Sequence, residues 1–335
     1  MPTAFITGCA SGFGHLLAAR LLELGWRVVA TDPSTEGWPA ALGAPHTALQ
    51  IHAVDVRDEA SIAAAAAAAG EVDLLVNNGG YALFATQEEV DPEAVRDLFD
   101  VNVLGVIRVT QALLPALRRT RGVVVQLSSV AGRTAFPESG LYAATKHAVE
   151  ALSEALFQEV CTFGIRVRLV EPGSFETQFL ATAAAVSPDP GPDSPYAHLR
   201  RIWAARKDEV LEPPQDPARV VDAIVASLAD PLPFQRVVVG PDSERILSLR
   251  EALGPDAWAR LGAVRNGLTG VEAGPGDVLD PEAVLRLQPG DPRLEPTLQA
   301  LRWGHLAHWS DSALGRRALA HLSPGPVGGD AGTAD

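Results

Sequence analysis

Short apolar runs alternate along this chain with longer segments whose apolar residues recur at helical spacing. The alternation predicts parallel strands covered by helices on both faces. Strands are expected near 3–7, 27–31, 49–54, 72–77, 122–128, 166–171 and 235–239, and helices near 13–24, 58–69, 92–118, 142–163 and 217–229. Gly122 to Leu127 (Gly-Val-Val-Val-Gln-Leu) is apolar on consecutive residues, as a parallel strand buried on both faces requires. Ala63 to Ala69 is a run of alanine with high helix propensity and little side-chain information, so a tolerated or closely packed helix face is expected there. By itself this pattern says only α/β.

Glycine punctuates the end of the first strand. After Ala4-Phe5-Ile6 come Thr7-Gly8-Cys9-Ala10-Ser11-Gly12-Phe13-Gly14 and a helical pattern from His15 to Leu24. Gly8 permits a sharp exit from the strand, while Gly12 and Gly14 let the backbone and the helix start approach a pyrophosphate. The spacing, G-x3-G-x-G, differs from the G-x-G-x-x-G of two-domain dehydrogenases.

A second cluster lies around the fifth strand. Tyr142 and Lys146 stand at i,i+4 and share a helix face, which brings an ammonium toward a phenol and favours the phenolate. Neither group, near 10 and ~10.4 on its own, transfers protons well at neutrality. Ser129 ends the strand, and Val130 to Leu141, with Gly132, Pro137 and Gly140, is expected to loop back so that Tyr142 meets Ser129. The C-terminal edge of such a sheet is where ligands bind.

Thr7-Gly8-x3-Gly12-x-Gly14, Asp55-Val56, Asn77-Asn78-Gly79-Gly80, Val101-Asn102-Val103-x-Gly105, Ser128-Ser129, Tyr142-x3-Lys146 and Pro172-Gly173-x3-Thr177 follow one another in order over roughly the first 240 residues. In this the chain resembles the classical short-chain dehydrogenases/reductases, and the string Phe5 to Gly14 is similar to the retinol, hydroxysteroid and hydroxybutyrate dehydrogenase branch. Gly80 stands where that family usually has Ala, and Ala10 where the branch commonly has an acidic residue. The resemblance implies a Rossmann-like, doubly wound, seven-stranded parallel sheet over residues 1–250. A C-terminal helical extension is expected over 251–335, disordered from about 323.

It also implies an oxidoreductase that interconverts an alcohol and its ketone or aldehyde. Tyr142 would be the acid/base and Ser129 the hydrogen-bond donor to the substrate oxygen. Lys146 would serve both Tyr142 and the nicotinamide ribose, and Asn102 would hold a water leading to solvent. Gly8, Ser11, Gly12, Phe13 and Gly14 would receive the dinucleotide. Asp55 and Val56 would flank adenine, Asn77 and Gly79 would line a ribose, and Pro172, Gly173 and Thr177 would hold the carboxamide. Asp32, at the end of the second strand, can accept both adenosine ribose hydroxyls and repels a 2′-phosphate. No Arg or Lys occurs from Thr31 to Trp38, so NAD is expected rather than NADP.

Specificity is expected in the loops after the strands: Tyr81 to Glu88, Val130 to Leu141, and the stretch beyond Thr177. In the last, Ser187-Pro188-Asp189-Pro190-Gly191-Pro192 precedes Tyr196, Trp203 and Glu212-Pro213-Pro214. It is expected to be a mobile lid over an apolar pocket lined by Phe84, Phe136, Phe175 and Phe179, suited to a hydrophobic secondary alcohol.

Composition narrows the partners. The 335 residues are 47% hydrophobic, enough for a large core, and carry a net charge of −14 with no basic cluster, so no nucleic-acid partner is expected. The first strand begins within a few residues of Met1, and no apolar run reaches the ~18 to 20 residues of a membrane span. A cytoplasmic enzyme of a small-molecule substrate, without a membrane partner, is expected. Cys9 and Cys161 make no disulfide framework, and Cys9 is expected to be a small residue packed under the glycine turn.

Leu152, Leu156 and Val160, at i,i+4 along one helix, match a helix that forms subunit contacts in the family, so a homodimer or homotetramer is expected. No metal site is expected: His305 and His308 stand at i,i+3 without a carboxylate or Cys motif. Beyond Gly270 short helical runs such as Leu294 to Trp309 and Asp311 to His321 are expected. Two other readings have less support. A dinucleotide sensor that has lost turnover has no need of the full Asn102, Ser129, Tyr142 and Lys146 set, and the extended epimerases and dehydratases use a G-x2-G-x2-G turn absent here.

Overall fold

Seven strands, β1 (Thr3–Thr7), β2 (Arg27–Asp32), β3 (Leu49–Ala53), β4 (Leu74–Asn77), β5 (Val123–Leu127), β6 (Arg166–Pro172) and β7 (Phe234–Val239), lie side by side. Their order in the sheet is β3-β2-β1-β4-β5-β6-β7, and every pairing is parallel. In this computed structural model the described residues are 1–36, 47–189, 191–201, 215–265, 272–274 and 277–278. Chain order reverses between β1 and β4, so their C-terminal ends open the crevice where doubly wound sheets bind ligands.

The period of two along a strand divides the core. Ala4, Ile6, Val28, Ala30, Leu74 and Val76 face helices α1 (Gly12–Glu23) and α7 (Ala218–Ala229) through Leu17, Leu21, Val220 and Ile224. Phe5, Val29, Leu75, Val124 and Val167 face the opposite way, toward α2 (Glu59–Ala69), α4 (Val106–Thr120) and α5 (Gly140–Val160). Within the alanine run, Ala65 and Ala69 are buried with Ile62, so small residues here serve close packing of α2.

The segment read as one helix over 92–118 is interrupted. Asp91 caps α3 (Pro92–Phe99) by accepting the Glu93 N–H, and a π-helical turn over Asp100–Gly105 precedes α4. Wider helical turns of this kind re-aim side chains at functional sites, and this one carries Asn102. By length and composition the stretch Pro92–Thr120 is apolar enough to cross a membrane, contrary to the expectation from the sequence. In the fold its apolar face packs on the sheet through Val109, Leu113 and Leu117.

Two more helices precede and follow the last strand: α6 (Phe179–Val186) and α8 (Pro241–Leu253). The chain divides into units Met1–Leu247 and Ser248–Asp335. The second contains α9 (Pro255–Arg265) and a short antiparallel pair, Glu272–Gly274 with Asp277–Val278. Trp203, Glu212 to Pro214, His305, His308, the helical runs expected over 294–309 and 311–321, and the tail from 323 lie outside the described residues, as does Trp38. Cys9 is buried and Cys161 exposed, both as free thiols.

The Leu152, Leu156, Val160 stripe does not form one free surface. Val160 is buried and Leu156 packs against the same core, because four-residue steps drift around the helix; Leu152 alone of the three is exposed.

Beneath the far end of the sheet Glu171 on β6 is fully buried beside Arg133 (3.4 Å) and Arg236 (3.2 Å). Burial, and then the charge of Glu150, push its carboxyl up to about 7, above an ordinary value of 4.5. A folded-state value above the unfolded one means the folded chain favours the proton: this contribution is fully present below about 4.5 and is lost as pH rises through 7. Glu171→Gln is therefore expected to raise Tm by a few degrees at pH 8 relative to the wild type and by clearly less at pH 5. Thermal unfolding at both pH values checks this; an equal difference at the two would refute the buried titration.

Candidate active site

The turns after β1 and β4 are stitched together at the switch point. Thr7 Oγ1 accepts the N–H groups of Asn78 (3.1 Å) and Gly79 (2.9 Å), and Asn78 Nδ2 donates to the carbonyls of Thr7 and Gly8, both at 2.8 Å. Gly14, in the first turn of α1, lies against this seam: a Cβ there would stand 2.2 Å from the Gly8 oxygen. Ser11, the N-cap of α1, makes no side-chain capping bond, and no acidic residue occupies the first turn. Among the described residues the leading N–H groups of that helix thus have no side-chain acceptor, the condition for receiving an anion.

Asp32 closes one side of the turn, accepting the Ala10 N–H at 3.1 Å. Burial pushes its carboxyl upward, and the Ala10 and Ser34 N–H groups oppose the shift. A glycine cradle, free helix N–H donors and a carboxylate at the end of β2 together fit a dinucleotide. Cys9 takes no part in this chemistry: burial raises its thiol well above the ordinary value, and its Sγ lies 3.3 Å from the Ile6 carbonyl.

Asp55 follows β3 and is held by Arg57 at 2.7 Å, which lowers its carboxyl; Arg57 also reaches Asp97 at 2.6 Å. Tyr81 donates to the other oxygen of Asp97 (3.0 Å). Val56 packs on the apolar layer formed by α2 and α4. Asn77 ends β4. Its side chain is buried and donates to Thr110 Oγ1 at 2.9 Å, because an amide at the end of a central strand needs a partner inside the fold. The polar side chain at the turn is that of Asn78.

Past the end of β6, the Ser174 N–H donates to Asp242 Oδ2 (2.7 Å) and Gln215 Nε2 to Asp242 Oδ1 (3.1 Å), fixing the loop after Pro172 and Gly173. Thr177 sits over Gly12, its Cβ 3.6 Å from where a Gly12 side chain would begin. The cradle and the loop after β6 therefore face one another.

At the end of β5 the sequence-predicted reactive groups meet. Tyr142 and Lys146 are 8% and 7% exposed. Ser129 accepts the Ala131 N–H at 3.1 Å and hydrogen-bonds Tyr142, and Lys146 Nζ donates to the Leu127 carbonyl at 2.7 Å. Asn102, re-aimed by the π-helical turn, donates to the Tyr81 carbonyl (2.8 Å) and Thr145 Oγ1 (3.2 Å), and accepts the Tyr81 N–H (3.1 Å). Gly80 makes room for it: a Cβ there would meet Asn102 Oδ1 at 2.9 Å.

One electrostatic expectation is corrected. In the free protein the Tyr142 phenol is raised, not lowered, by its burial, and the Ser129 hydrogen bond only partly opposes this. Burial also pulls Lys146 down to about 8, with Glu150 opposing. Lys146 aims at a carbonyl and stands 5.8 Å from the phenol ring centre. The protein alone therefore does not make a phenolate.

Phe84 and Phe179 pack with Ala82, Ala183 and Tyr142, and the Phe179 ring lies 5.6 Å from that of Tyr142. Phe136 is outside this cluster and its backbone turns onto Ser139. Phe175 points away altogether, into the core beneath the glycine turn, edge-on to Phe13 at 5.7 Å. Its position two residues past a glycine gave no sign of direction.

The lid expected to be mobile is tied down where it is described. Ser187 accepts the Phe84 N–H (2.9 Å), Tyr196 and Ser194 donate to Glu88 and Glu89, and Arg200 reaches Glu138 (2.9 Å). Thr7, Asn78 and Thr145 escaped assignment from the sequence, although Thr7 and Asn78 lie inside quoted motifs. Thr145 links the Tyr142 carbonyl (2.7 Å) to Asn102.

A model described as short chain dehydrogenase matches residues 2–186. The chain is 36% identical over 260 residues to 17-beta-hydroxysteroid dehydrogenase type 1 of Homo sapiens, covering 73% of this chain and 78% of that one. A short chain dehydrogenase from Burkholderia cenocepacia solved with NADP shares 26% identity at a TM-score of 0.61, over 75% of this chain and 93% of its own. Another from Burkholderia phymatum, solved with NAD, shares 27% at 0.63, over 75% and 92%.

The seam at the switch point gives a direct test. Gly14→Ala places a methyl group against backbone and is expected to cost about 1–3 kcal/mol, seen as a fall of several degrees in Tm. An unchanged Tm would show that the two turns are not closely packed.

Proposed function

This chain belongs to the short-chain dehydrogenase family, and from that premise we propose that it interconverts a hydrophobic secondary alcohol and its carbonyl compound with a nicotinamide dinucleotide, NAD in preference to NADP. The observation that carries the reading is the convergence of Ser129, Tyr142 and Lys146 at the end of β5, in a sheet whose first turn is glycine-rich and leads into a helix without a side-chain cap.

The turn Gly8 to Gly14 with Ser11 and Phe13, together with Asp32, Asp55, Val56, Gly79, Pro172, Gly173 and Thr177, would hold the dinucleotide. Bound there, it supplies the hydride acceptor for oxidation and the donor for reduction. Tyr142 exchanges a proton with the substrate oxygen, and Ser129 donates a hydrogen bond to the same oxygen. Burial keeps Tyr142 protonated in the free protein, suited to donate in the reducing direction. To act as base it needs positive charge beside it, which Lys146 and an oxidised nicotinamide provide together.

Asn102 orders the backbone at Tyr81 and joins Thr145 to the site, so its role runs through position rather than contact with the reacting atoms. Phe84 and Phe179 beside Tyr142 favour an apolar substrate. A homodimer or homotetramer belongs to the same proposal, with the exposed Leu104 and Leu152 as apolar surface for it.

Steroid, retinoid, acyl and sugar alcohols, followed by reduced-nicotinamide absorbance with each coenzyme, test the reading; no turnover with any of them would count against it. Tyr142→Phe is expected to lower kcat by roughly 10²- to 10⁴-fold while dinucleotide binding by calorimetry is unchanged. Turnover at the wild-type rate would remove Tyr142 as the acid/base. Asp32→Ala is expected to narrow the NAD-to-NADP ratio of kcat/KM by about tenfold; a constant ratio would remove the basis for preferring NAD.

A further inference from the structure

One turn beyond Lys146, the buried side chain of Glu150 makes contacts that the hydride-transfer reading does not use. Its Oε1 accepts a hydrogen bond from the Ser128 hydroxyl, next to Ser129. Its Oε2 lies 3.2 Å from Arg236 Nε on β7. Lys146 meanwhile donates to the carbonyl of Leu127. Two side chains of α5, four residues apart, thus grip two consecutive residues at the end of β5, immediately before the serine that meets Tyr142.

We propose that Glu150 is a positioning residue of the active site: it fixes the Ser128-Ser129 strand end against α5, and its charge, anchored by Arg236, keeps Lys146 an ammonium. The inference rests on the hydride-transfer reading for its consequence in turnover, but its electrostatic half does not.

An ammonium that is 7% exposed needs negative charge or good acceptors nearby. The Leu127 carbonyl is one acceptor, and Glu150 is the group whose charge holds Lys146 up against its burial. The other charged or titratable groups around the pair are Tyr142 and Glu154 on α5, Arg133 after β5, Glu171 on β6 and Arg236 on β7. Arg236 is shared by three carboxylates, and Glu171 is the one pushed toward neutrality. Glu150 has both a hydroxyl donor, Ser128, and an arginine partner, Arg236.

The chain has two lysines, Lys146 and Lys207, which makes a test possible without knowing the substrate. In protein labelled with 13C-lysine, carrying Lys207→Arg so that one signal is left, the pH titration of the Lys146 side chain is followed by NMR. Glu150→Gln, which keeps an acceptor for Ser128 and removes the charge, is expected to lower the Lys146 midpoint by about half a pH unit or more. A folded Glu150→Gln protein with the wild-type midpoint would overturn the electrostatic half.

Ser128→Ala tests the other half and stands if Glu150→Gln fails to fold. It is expected to leave the Lys146 midpoint in place and to lower kcat about tenfold, with the KM for NAD unchanged. Wild-type kcat in Ser128→Ala would overturn the positioning role. Failure of the hydride-transfer reading would appear separately, as wild-type turnover in Tyr142→Phe.

Discussion

A single hydrogen bond ties the chemistry of this protein to its fold: Lys146 Nζ to the carbonyl of Leu127, at 2.7 Å. The last carbonyl of a central strand has no further strand register to pair with, and an ammonium brought inside a protein loses its water. Each supplies what the other lacks, and a charge-assisted bond inside a protein is stronger than a neutral one. The bond also fixes α5 along its axis relative to the sheet, so Tyr142 arrives at Ser129 instead of a turn too high or too low.

The sheet was legible because strands buried on both faces cannot hide. All seven strands were marked to within about two residues, the central ones by consecutive apolar positions, although the edge strands β3 (Leu-Gln-Ile-His-Ala) and β7 (Phe-Gln-Arg-Val-Val-Val) are only partly buried and carry polar residues. Helix boundaries and side-chain directions were less legible. Nothing in Asp100 to Gly105 announces a π-helical turn, since closing each hydrogen bond over one more residue changes no side chain. Phe175 and Phe179 look alike in the sequence, yet one fills the core under the glycine turn and the other lies beside Tyr142. Their difference is set by the loop after β6, which Asp242, far along the chain, holds in place.

The site residues separate in the same way. Motif spacing brought Ser129, Tyr142 and Lys146 to one place because each is fixed by regular structure, a strand end or one helix face. It gave no sign that the Asn77 amide turns inward to Thr110 while the Asn78 amide ties the two turns together, a difference that follows from alternate residues leaving a strand on opposite sides. Spacing also cannot price desolvation. The i,i+4 relation suggested a lysine that lowers the phenol, whereas burial raises one and lowers the other. Burial shifts each toward its neutral form, yet Lys146, at about 8, remains an ammonium at neutral pH while Tyr142 keeps its proton.

Helix geometry explains how one element serves pocket, strand and interior at once. At 3.6 residues per turn, each four-residue step advances about 40° around the axis, so Tyr142, Lys146 and Glu150 form a slow spiral and not a straight row. Tyr142 is turned toward Phe84 and Phe179, Lys146 toward the end of β5, and Glu150 toward Arg236 at the far side of the sheet. A three-residue spacing would wind the other way by about 60° per step, and a seven-residue spacing by about 20°. The drift lets the phenol lie against the Phe84 and Phe179 side chains while Glu150, two steps along, is held by Ser128 and Arg236.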